Sequence, residues 1–236
     1  MEATEIRKLA QLEDTHWWYR ERRAILARQL RKLGVKPGRA LDVGAAGGGN
    51  TRVLRAHGWD ALAVEYSDAG VEVARERGLN VIQADARDLP LEDGSFDLVM
   101  AFDILEHIEE DVQAASEFHR VLKPGGHALI AVPCDMRLWS AHDVAVDHVR
   151  RYDREGLVAC MTKAGFEVDE VWSWNVLLRP VAAARRKKST GSDLSQLPWV
   201  VNFALTVIIA AERYLPVRNL PGVSLVLRAH KPTVPA

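Results

Sequence analysis

Short apolar runs alternate with longer segments of helical periodicity along most of this chain of 236 residues. Apolar residues recur at three- and four-residue spacing within 15–33, which predicts a helix that leads into the first strand. The following apolar runs have the length of buried strands and lie at 40–43, 61–65, 80–83, 97–102 and 127–132. Because helix-like segments separate these runs, the pattern predicts a mostly parallel sheet with helices on both faces.

The pattern continues beyond the fifth strand with a helix at 153–164 and two further strands at 166–172 and 223–229. The Lys-Pro-Gly-Gly segment at 123–126 predicts a turn before the fifth strand. Between the last two strands, an apolar helix is predicted at 199–211. Its Asn202 and Thr206 share one stripe with Arg213, which leaves a wide apolar face.

A glycine-rich turn at 40–50 links the first predicted strand to a helix. Gly44 and Gly48 would supply the positive φ angles and the close ligand approach that such a turn requires. Glu65 follows Gly44 by 21 positions and ends the second strand, where a carboxylate can accept hydrogen bonds from ribose hydroxyls. The spacing predicts a nucleoside-cofactor site. Ala46 stands where a dinucleotide motif needs glycine, which disfavours an NAD-type oxidoreductase.

The amino-acid composition limits which binding partners and which cellular compartment we expect for this protein. With 31 basic and 32 acidic residues, a net charge of -1 argues against nucleic-acid binding through a broad basic surface. Cys134 and Cys160 are too few for a disulfide framework, and the charged first residues do not resemble a secretory signal, so we expect a cytoplasmic protein. The apolar stretch at 199–211 is too short to span a membrane.

The His-Trp-Trp-Tyr run at 16–19, followed by Arg22 and Arg23, resembles the N-terminal helix of methyltransferases near the ubiquinone O-methyltransferase group. Five motifs in order resemble those of the class I S-adenosylmethionine-dependent methyltransferases. They are Leu-Asp-Val-Gly-Ala-Ala-Gly-Gly-Gly at 41–49, the acid Glu65, Asp85-Ala86, Phe-Asp-Leu-Val at 96–99 leading to Leu-Glu-His at 105–107, and Leu-Lys-Pro-Gly-Gly at 122–126. The resemblance implies a Rossmann-like α/β fold with a seven-stranded sheet and S-adenosyl-L-methionine as the cofactor. We expect one domain: an N-terminal lid helix within 1–36, a core at 37–174, an insertion at 175–221 and a last strand at 223–230.

The resemblance also implies a set of cofactor-binding residues. Glu65 would hold the ribose hydroxyls, Asp85 the adenine edge, and Arg23 the methionyl carboxylate, while Trp18 or Tyr19 would cover the sulfonium. The full expected set is Trp18, Arg23, Asp42, Gly44, Ala45, Ala46, Gly48, Glu65, Tyr66, Asp85, Ala86, Phe102, Asp103 and His107.

Candidate catalytic residues follow the fifth strand, where loops face the ligand crevice of a parallel sheet. His142 and His148 are the candidates for acid–base or substrate-orienting roles. A cluster of Asp103, Glu106 and His107 could also hold a divalent ion. Since the same residues resemble the floor of the cofactor site in relatives that use no metal, we expect no metal.

The leading hypothesis is transfer of a methyl group, by in-line displacement, to an oxygen or nitrogen of a small, partly apolar metabolite. One alternative is a non-catalytic cofactor-binding partner in a biosynthetic assembly. Another is a lipid or glycolipid methyltransferase that contacts a membrane surface through 185–213, where the basic run 185–188 could face anionic lipid. A homodimer remains open.

Overall fold

A seven-stranded sheet forms the centre of the computed structural model, which describes residues 7, 10–187 and 197–233. The strand order is β3-β2-β1-β4-β5-β7-β6, and β7 runs antiparallel to both of its neighbours. The strands are β1 Arg39–Val43, β2 Asp60–Glu65, β3 Val81–Gln83, β4 Phe96–Phe102, β5 Leu122–Pro133, β6 Glu167–Trp174 and β7 Ser224–His230. The prediction of a seven-stranded, mostly parallel sheet is confirmed.

Helices connect the strands and cover the sheet. They are α1 Trp17–Leu33, α2 Gly49–Ala56, α3 Asp68–Glu76, α4 Asp111–Val121, α5 Ala141–Ala145, α6 Arg154–Lys163, α7 Arg179–Arg186 and α8 Trp199–Ala211. Short 3₁₀ turns occur at Leu105–His107, Met136–Leu138 and Glu212–Tyr214.

The two faces of the sheet carry separate apolar cores because side chains alternate along each strand. In β4, Val99 points to the core that also contains Phe118 of α4. Its neighbour Leu98 points to the opposite core, which contains Leu26 of α1 and Ile209 of α8. Burial on both faces explains the nearly continuous apolar runs of the central strands.

The segment at 122–126 differs from the predicted turn. Leu122 already pairs with Phe96, and the ladder between β4 and β5 then shifts its register before Leu98. Gly125 has a φ of 76° and donates its N–H to the carbonyl of Lys231 at 2.8 Å. The backbone of the segment therefore forms hydrogen bonds with the backbone just after β7. The motif is therefore an irregular first part of β5, because backbone partners on both sides continue the sheet.

Between β6 and β7, α7 and α8 return the chain to the face covered by α1. The side chain of Asn202 accepts a hydrogen bond from the Trp17 N–H and donates one to the Thr15 carbonyl, both at 2.9 Å. The predicted polar stripe of α8 thus contacts the start of α1. The predicted basic run ends α7 with Arg185 and Arg186, while residues 188–196 lie outside the described part of the chain.

The contact between α8 and α1 gives a first prediction. Asn202→Ala removes two hydrogen bonds and should lower the free energy of unfolding by about 1–2 kcal/mol in urea denaturation. The matched control on the same helix is Val207→Ala, whose exposed side chain should change stability by less than about 0.5 kcal/mol. Equal losses in both variants would contradict this role of Asn202.

Candidate functional site

A cavity of about 920 Å³ opens at the carboxyl ends of the parallel strands, where β1 and β4 lie side by side and their connections leave in opposite directions. Its wall comes from the start of α1, the glycine-rich loop, the loop after β4 and the segment after β5. The sequence-predicted residues that line it are Trp18, Arg23, Gly44, Ala45, Ala46, Glu65, Tyr66, Asp85, Ala86, Phe102, Asp103, His107, His142 and His148. One cavity thus brings together residues spread over 131 positions of sequence, from 18 to 148.

The glycine-rich loop has left-handed backbone at three positions, with φ of 72° at Gly44, 46° at Ala46 and 77° at Gly48. A Cβ added at Gly44 would overlap the side chain of Ile104, so this position requires glycine for space as well as for conformation. Ala46 adopts the left-handed conformation although an L-residue pays about 1 kcal/mol there. Its N–H is held by the Glu65 carboxylate at 2.8 Å, which fixes the loop.

Two of the predicted residues, Asp42 and Gly48, lie behind the loop and do not line the cavity. Asp42 is fully buried and accepts a hydrogen bond from the Thr51 hydroxyl at 2.5 Å, which ties β1 to α2. Gly48 caps α2, and a Cβ there would overlap Leu79. Both residues therefore shape the loop from the side away from the cavity. The Asp42 carboxylate faces Thr51 of α2, and the Cβ position of Gly48 faces Leu79, just before β3.

The two acids predicted for the nucleoside have defined partners. Glu65 accepts from the Ser67 N–H and hydroxyl at 3.0 and 2.8 Å, in addition to its bond with the loop. The Asp85 carboxylate accepts hydrogen bonds from Nε and Nη2 of Arg87, and these bonds hold the pKa of Asp85 below its usual range. The sequence interpretation missed Arg87, which also reaches Glu110 at 2.8 Å.

Two adjacent arginines of α1 take different positions in the cavity. Arg22 is buried, forms an ion pair with Asp103, and stacks its guanidinium on Phe102 at 4.8 Å from the ring centroid. The aromatic ring of Trp18 lies 4.4 Å from that of Trp174, and the Arg22 guanidinium lies beside both rings. Arg22 thus occupies the aromatic cluster in which Trp18 was expected to cover a sulfonium.

Arg23, the predicted carboxylate-binding residue, lies near the first residue of α2. Its Nη1 would be 3.4 Å from a Cβ added at Gly49. Glu13 lies at the same helix end, forms an ion pair with Arg77 and lines the cavity, although the sequence interpretation did not include it. A cation and an acid therefore flank the helix end, as a ligand carrying both a carboxylate and an ammonium requires.

On the opposite wall, His148 is held by Asp143. The Nδ1 atom of His148 lies 2.9 Å from the Asp143 carboxylate, which also accepts from Arg151 Nε at 2.8 Å. Burial alone would raise the pKa of Asp143, but the hydrogen bonds from His148 and Arg151 outweigh it and keep the carboxyl ionised. His142 lines the cavity, with its ring 6.2 Å from that of His148.

Glu106 lies beyond the outer nitrogen of His148. This nitrogen, Nε2, is 3.9 Å from Glu106 Oε1. Glu106 is fully buried, and within residues 7, 10–187 and 197–233 neither carboxylate oxygen has a hydrogen-bond partner. Burial, followed by the nearby charge of Asp103, raises the pKa of Glu106 well above its usual value.

The three groups that can serve as metal ligands here are Glu106, His107 and His148, whose ligand atoms lie within 4.8 Å of one another. The sequence interpretation had considered Asp103 as the third member. In the structure, Arg22 binds the Asp103 carboxylate and the backbone at Asp103 turns with a φ of 59°. His148 takes its place because the segment after β5 folds over the 3₁₀ turn.

Comparison with known proteins identifies the domain that carries this site. Residues 41–130 match the family model described as a methyltransferase domain. Residues 41–130 are therefore the part of this chain that resembles a methyltransferase domain. The domain begins in β1 and ends in β5, so it includes the glycine-rich loop, Glu65, Asp85 and Glu106. The predicted resemblance to class I S-adenosylmethionine-dependent methyltransferases is confirmed.

Two relatives match parts of this chain. A relative from Mycolicibacterium smegmatis, named as a probable S-adenosylmethionine-dependent methyltransferase, is 26% identical over 168 residues, which are 70% of this chain and 65% of the relative. Demethylmenaquinone methyltransferase from Clavibacter sepedonicus is 37% identical over 97 residues, 39% of this chain and 40% of that protein. The chain thus spans less than two thirds of the length of these relatives.

A solved structure shows the same fold. It is a chain from the complex of the Haloferax volcanii Trm112 methyltransferase activator with a methyltransferase, and it superposes with a TM-score of 0.67 at 22% identity. The superposition covers 99% of this chain and 96% of that one. The class I methyltransferase fold predicted from the sequence is confirmed over almost the whole chain.

The geometry of the glycine-rich loop predicts the effect of a single Cβ. Gly44→Ala should weaken S-adenosylmethionine binding by about tenfold or more in calorimetric titration, since the new methyl group displaces Ile104 into the cavity. Gly78→Ala is the matched control, because Gly78 also has a positive φ, of 69°, but open space around its Cβ position. Equal affinities in the two folded variants would contradict the assignment of the loop.

Burial of Asp42 predicts a pH dependence of stability. Burial, only partly offset by the Thr51 hydrogen bond, raises the pKa of Asp42 from 3.8 to about 7. The folded state then binds more protons than the unfolded state between these values, so this group makes the free energy of unfolding fall as pH rises through the window. Asp42→Asn should flatten that fall in urea denaturation at pH values between about 4 and 8. Parallel pH profiles for the two proteins would refute the shift.

Proposed function

We propose that this chain transfers a methyl group from S-adenosyl-L-methionine to an oxygen or nitrogen of a small, partly apolar metabolite. The observation that carries the proposal is a single cavity with the glycine-rich loop on one wall and the Asp143–His148 pair on the other. Such an arrangement supports a cofactor and an acceptor side by side.

The residues on the loop side fit the cofactor. The glycine-rich loop lines the cavity at Gly44 and Ala46, Glu65 and Asp85 offer carboxylates for ribose hydroxyls and an exocyclic amine, and Tyr66 is 71% exposed. Arg23 would hold the methionyl carboxylate at the start of α2. When bound, S-adenosylmethionine supplies a methyl group on a sulfonium, which is a good leaving group.

The residues on the opposite wall would position and deprotonate the acceptor. Asp143 orients His148 through Nδ1, so the outer Nε2 is available to take a proton from an acceptor hydroxyl or ammonium. The Asp143 carboxylate then stabilises the charged imidazole. A cavity wall with Leu178, Val181 and Leu205 gives the acceptor an apolar environment and excludes water.

His148 gives the test of this mechanism. His148→Gln should lower the rate of S-adenosylhomocysteine formation in the presence of cell extract by about 10²–10⁴-fold, while the calorimetric affinity for S-adenosylmethionine stays unchanged. His57→Gln is the control, since His57 ends α2 away from the cavity wall. A His148→Gln protein with the full rate would eliminate His148 as the base.

The non-catalytic alternative makes a different prediction for the intact chain. A cofactor-binding partner would bind S-adenosylmethionine and S-adenosylhomocysteine in calorimetry but release no product with any extract. An NAD-type enzyme would bind NADH instead. Product formation that requires the loop and His148 would exclude both alternatives.

A divalent cation held by Glu106, His107 and His148 is a second arrangement for the acceptor side. Three observations favour it: the distances within 4.8 Å, the unpartnered oxygens of buried Glu106, and the carboxylate that orients His148 from behind. The cation would activate the acceptor oxygen in place of a histidine base. Titration with Mn²⁺, followed by electron paramagnetic resonance on the intact chain and on Glu106→Gln, separates the two arrangements. Tight binding lost in the variant supports the cation, and no binding in either supports the base.

A further inference from the structure

One side of α8 exposes a row of large apolar side chains. Exposed fractions reach 78% at Trp199 and 63% at Phe203, and the row continues with Val200, Val207 and Ile208. Ile209 is the buried residue of this helix, and none of its 13 residues is charged. An apolar patch of this kind on a soluble protein marks a surface that another body covers.

The length of α8 excludes a spanning role. At 1.5 Å per residue, 13 residues measure about 20 Å, whereas the hydrocarbon core of a bilayer is about 30 Å thick. In the part of the chain that the structure describes, no helix has the length and apolar character to cross a bilayer. If lipid covers α8, the helix lies in the plane of the surface.

Charge is distributed unequally between the segment that contains α8 and the rest of the chain. Positions 175–221 carry seven basic and two acidic residues, a net charge of +5, whereas the remainder of the chain has a net charge of -6. One of the two acids, Glu212, is buried and accepts hydrogen bonds from the N–H groups of Val176 and Leu177. Three of the seven basic residues form ion pairs within the fold: Arg179 with Asp135, Arg213 with Glu21, and Arg218 with Glu170. The positive charge beside the apolar face therefore comes from the basic end of α7, which matches an anionic surface.

The basic end of α7 and the first half of α8 meet at the start of α1. Burial, followed by the charge of nearby Arg185, lowers the pKa of His16. The next residue, Trp17, donates its backbone N–H to Asn202 of α8. Aromatic side chains flank the apolar row, with Trp199 at one end and Tyr214, 85% exposed, just beyond the other. Tryptophan and tyrosine prefer the interface between lipid and water.

Both α7 and α8 contribute side chains to the cavity wall. Leu205 of α8 and Leu178 of α7 line the cavity, and Val181 lines it while also being 58% exposed, which places Val181 at the mouth. At the inner end, Asn175 is buried with a φ of 60°, and its Oδ1 has no hydrogen-bond partner in the described part of the chain. The cavity wall thus combines apolar side chains of α7 and α8 with polar groups such as Asn175 and His148, as an amphiphile requires.

We propose that the apolar face of α8 and the basic end of α7 dock this protein on an anionic lipid bilayer, from which an amphiphilic acceptor enters the cavity beside Val181. The docking surface consists of Trp199, Val200, Phe203, Val207 and Ile208 with the exposed residues Arg185 and Lys187. Arg186 instead donates to the Leu138 carbonyl at 3.0 Å and lines the cavity. The docking part is independent of catalysis. The acceptor part rests on the proposed methyl transfer.

Co-sedimentation with vesicles tests the docking surface. The intact chain should bind vesicles of phosphatidylglycerol and phosphatidylcholine, bind phosphatidylcholine vesicles more weakly, and lose affinity as salt rises. Phe203→Ser combined with Val207→Ser should weaken binding by about tenfold or more. Val35→Ser is the control, because Val35 is exposed on the connection between α1 and β1.

The tryptophan at the edge of the surface gives a second measurement. Vesicle binding should shift the fluorescence of the intact chain to shorter wavelength, and Trp199→Phe should keep the binding but remove most of the shift. Cofactor calorimetry on every variant reports folding and the loop side separately, so failure to dock and failure of the proposed methyl transfer are distinguishable.

Three outcomes would overturn the proposal. These are no vesicle binding by the intact chain, equal binding by the Phe203/Val207 double variant, and a dimer in solution that the double variant dissociates. The last result would assign the α8 face to a second copy of the chain. Retained vesicle binding with no methyl transfer to lipid extract would leave the docking surface in place and overturn the lipid acceptor.

Discussion

The turn from β1 into α2 is the constraint on which the site depends. Within five residues the chain must reverse direction and leave its backbone open to a ligand, which it does with left-handed conformations at Gly44, Ala46 and Gly48. The Glu65 carboxylate holds this turn from the next strand through the Ala46 N–H, and buried Asp42 ties it to α2 through Thr51. The acid that would bind ribose thus also shapes the loop.

The opposite wall of the cavity depends on a second set of contacts, in which the carboxylate of Asp143 has two side-chain partners. Asp143 holds both His148 and Arg151, so the imidazole is oriented by a group whose charge is balanced by an arginine. Arg22 plays a comparable part on the other side, where it neutralises Asp103 and stacks on Phe102. Glu106 lies near both pairs, and its buried carboxylate oxygens have no hydrogen-bond partner among the described residues, so burial raises its pKa.

The helix α8 links the site to the surface of the molecule. Asn202, in its polar stripe, forms hydrogen bonds with the start of α1. Its apolar residues therefore face outward, except for Ile209, which is buried, and Leu205, which lines the cavity. A helix that is apolar on nearly all sides is normally buried. Its exposure here beside a basic helix end is the physical basis of the proposed lipid-facing surface.

The sequence by itself determined the order of the main strands, the position of the loop and the sheet edge at which most of the predicted site residues lie, because these follow from local periodicity and from the rule that parallel strands end at one edge. Only the tertiary structure decided which side chains pair across that edge. In the structure, Asp103 forms an ion pair with Arg22, His148 forms a hydrogen bond with Asp143, and the polar stripe of α8 contacts α1. It also added Glu13 and Arg87 to the site. These pairings join residues that are distant in sequence, and their partners compete for the same carboxylates, so spacing along the chain does not decide between them.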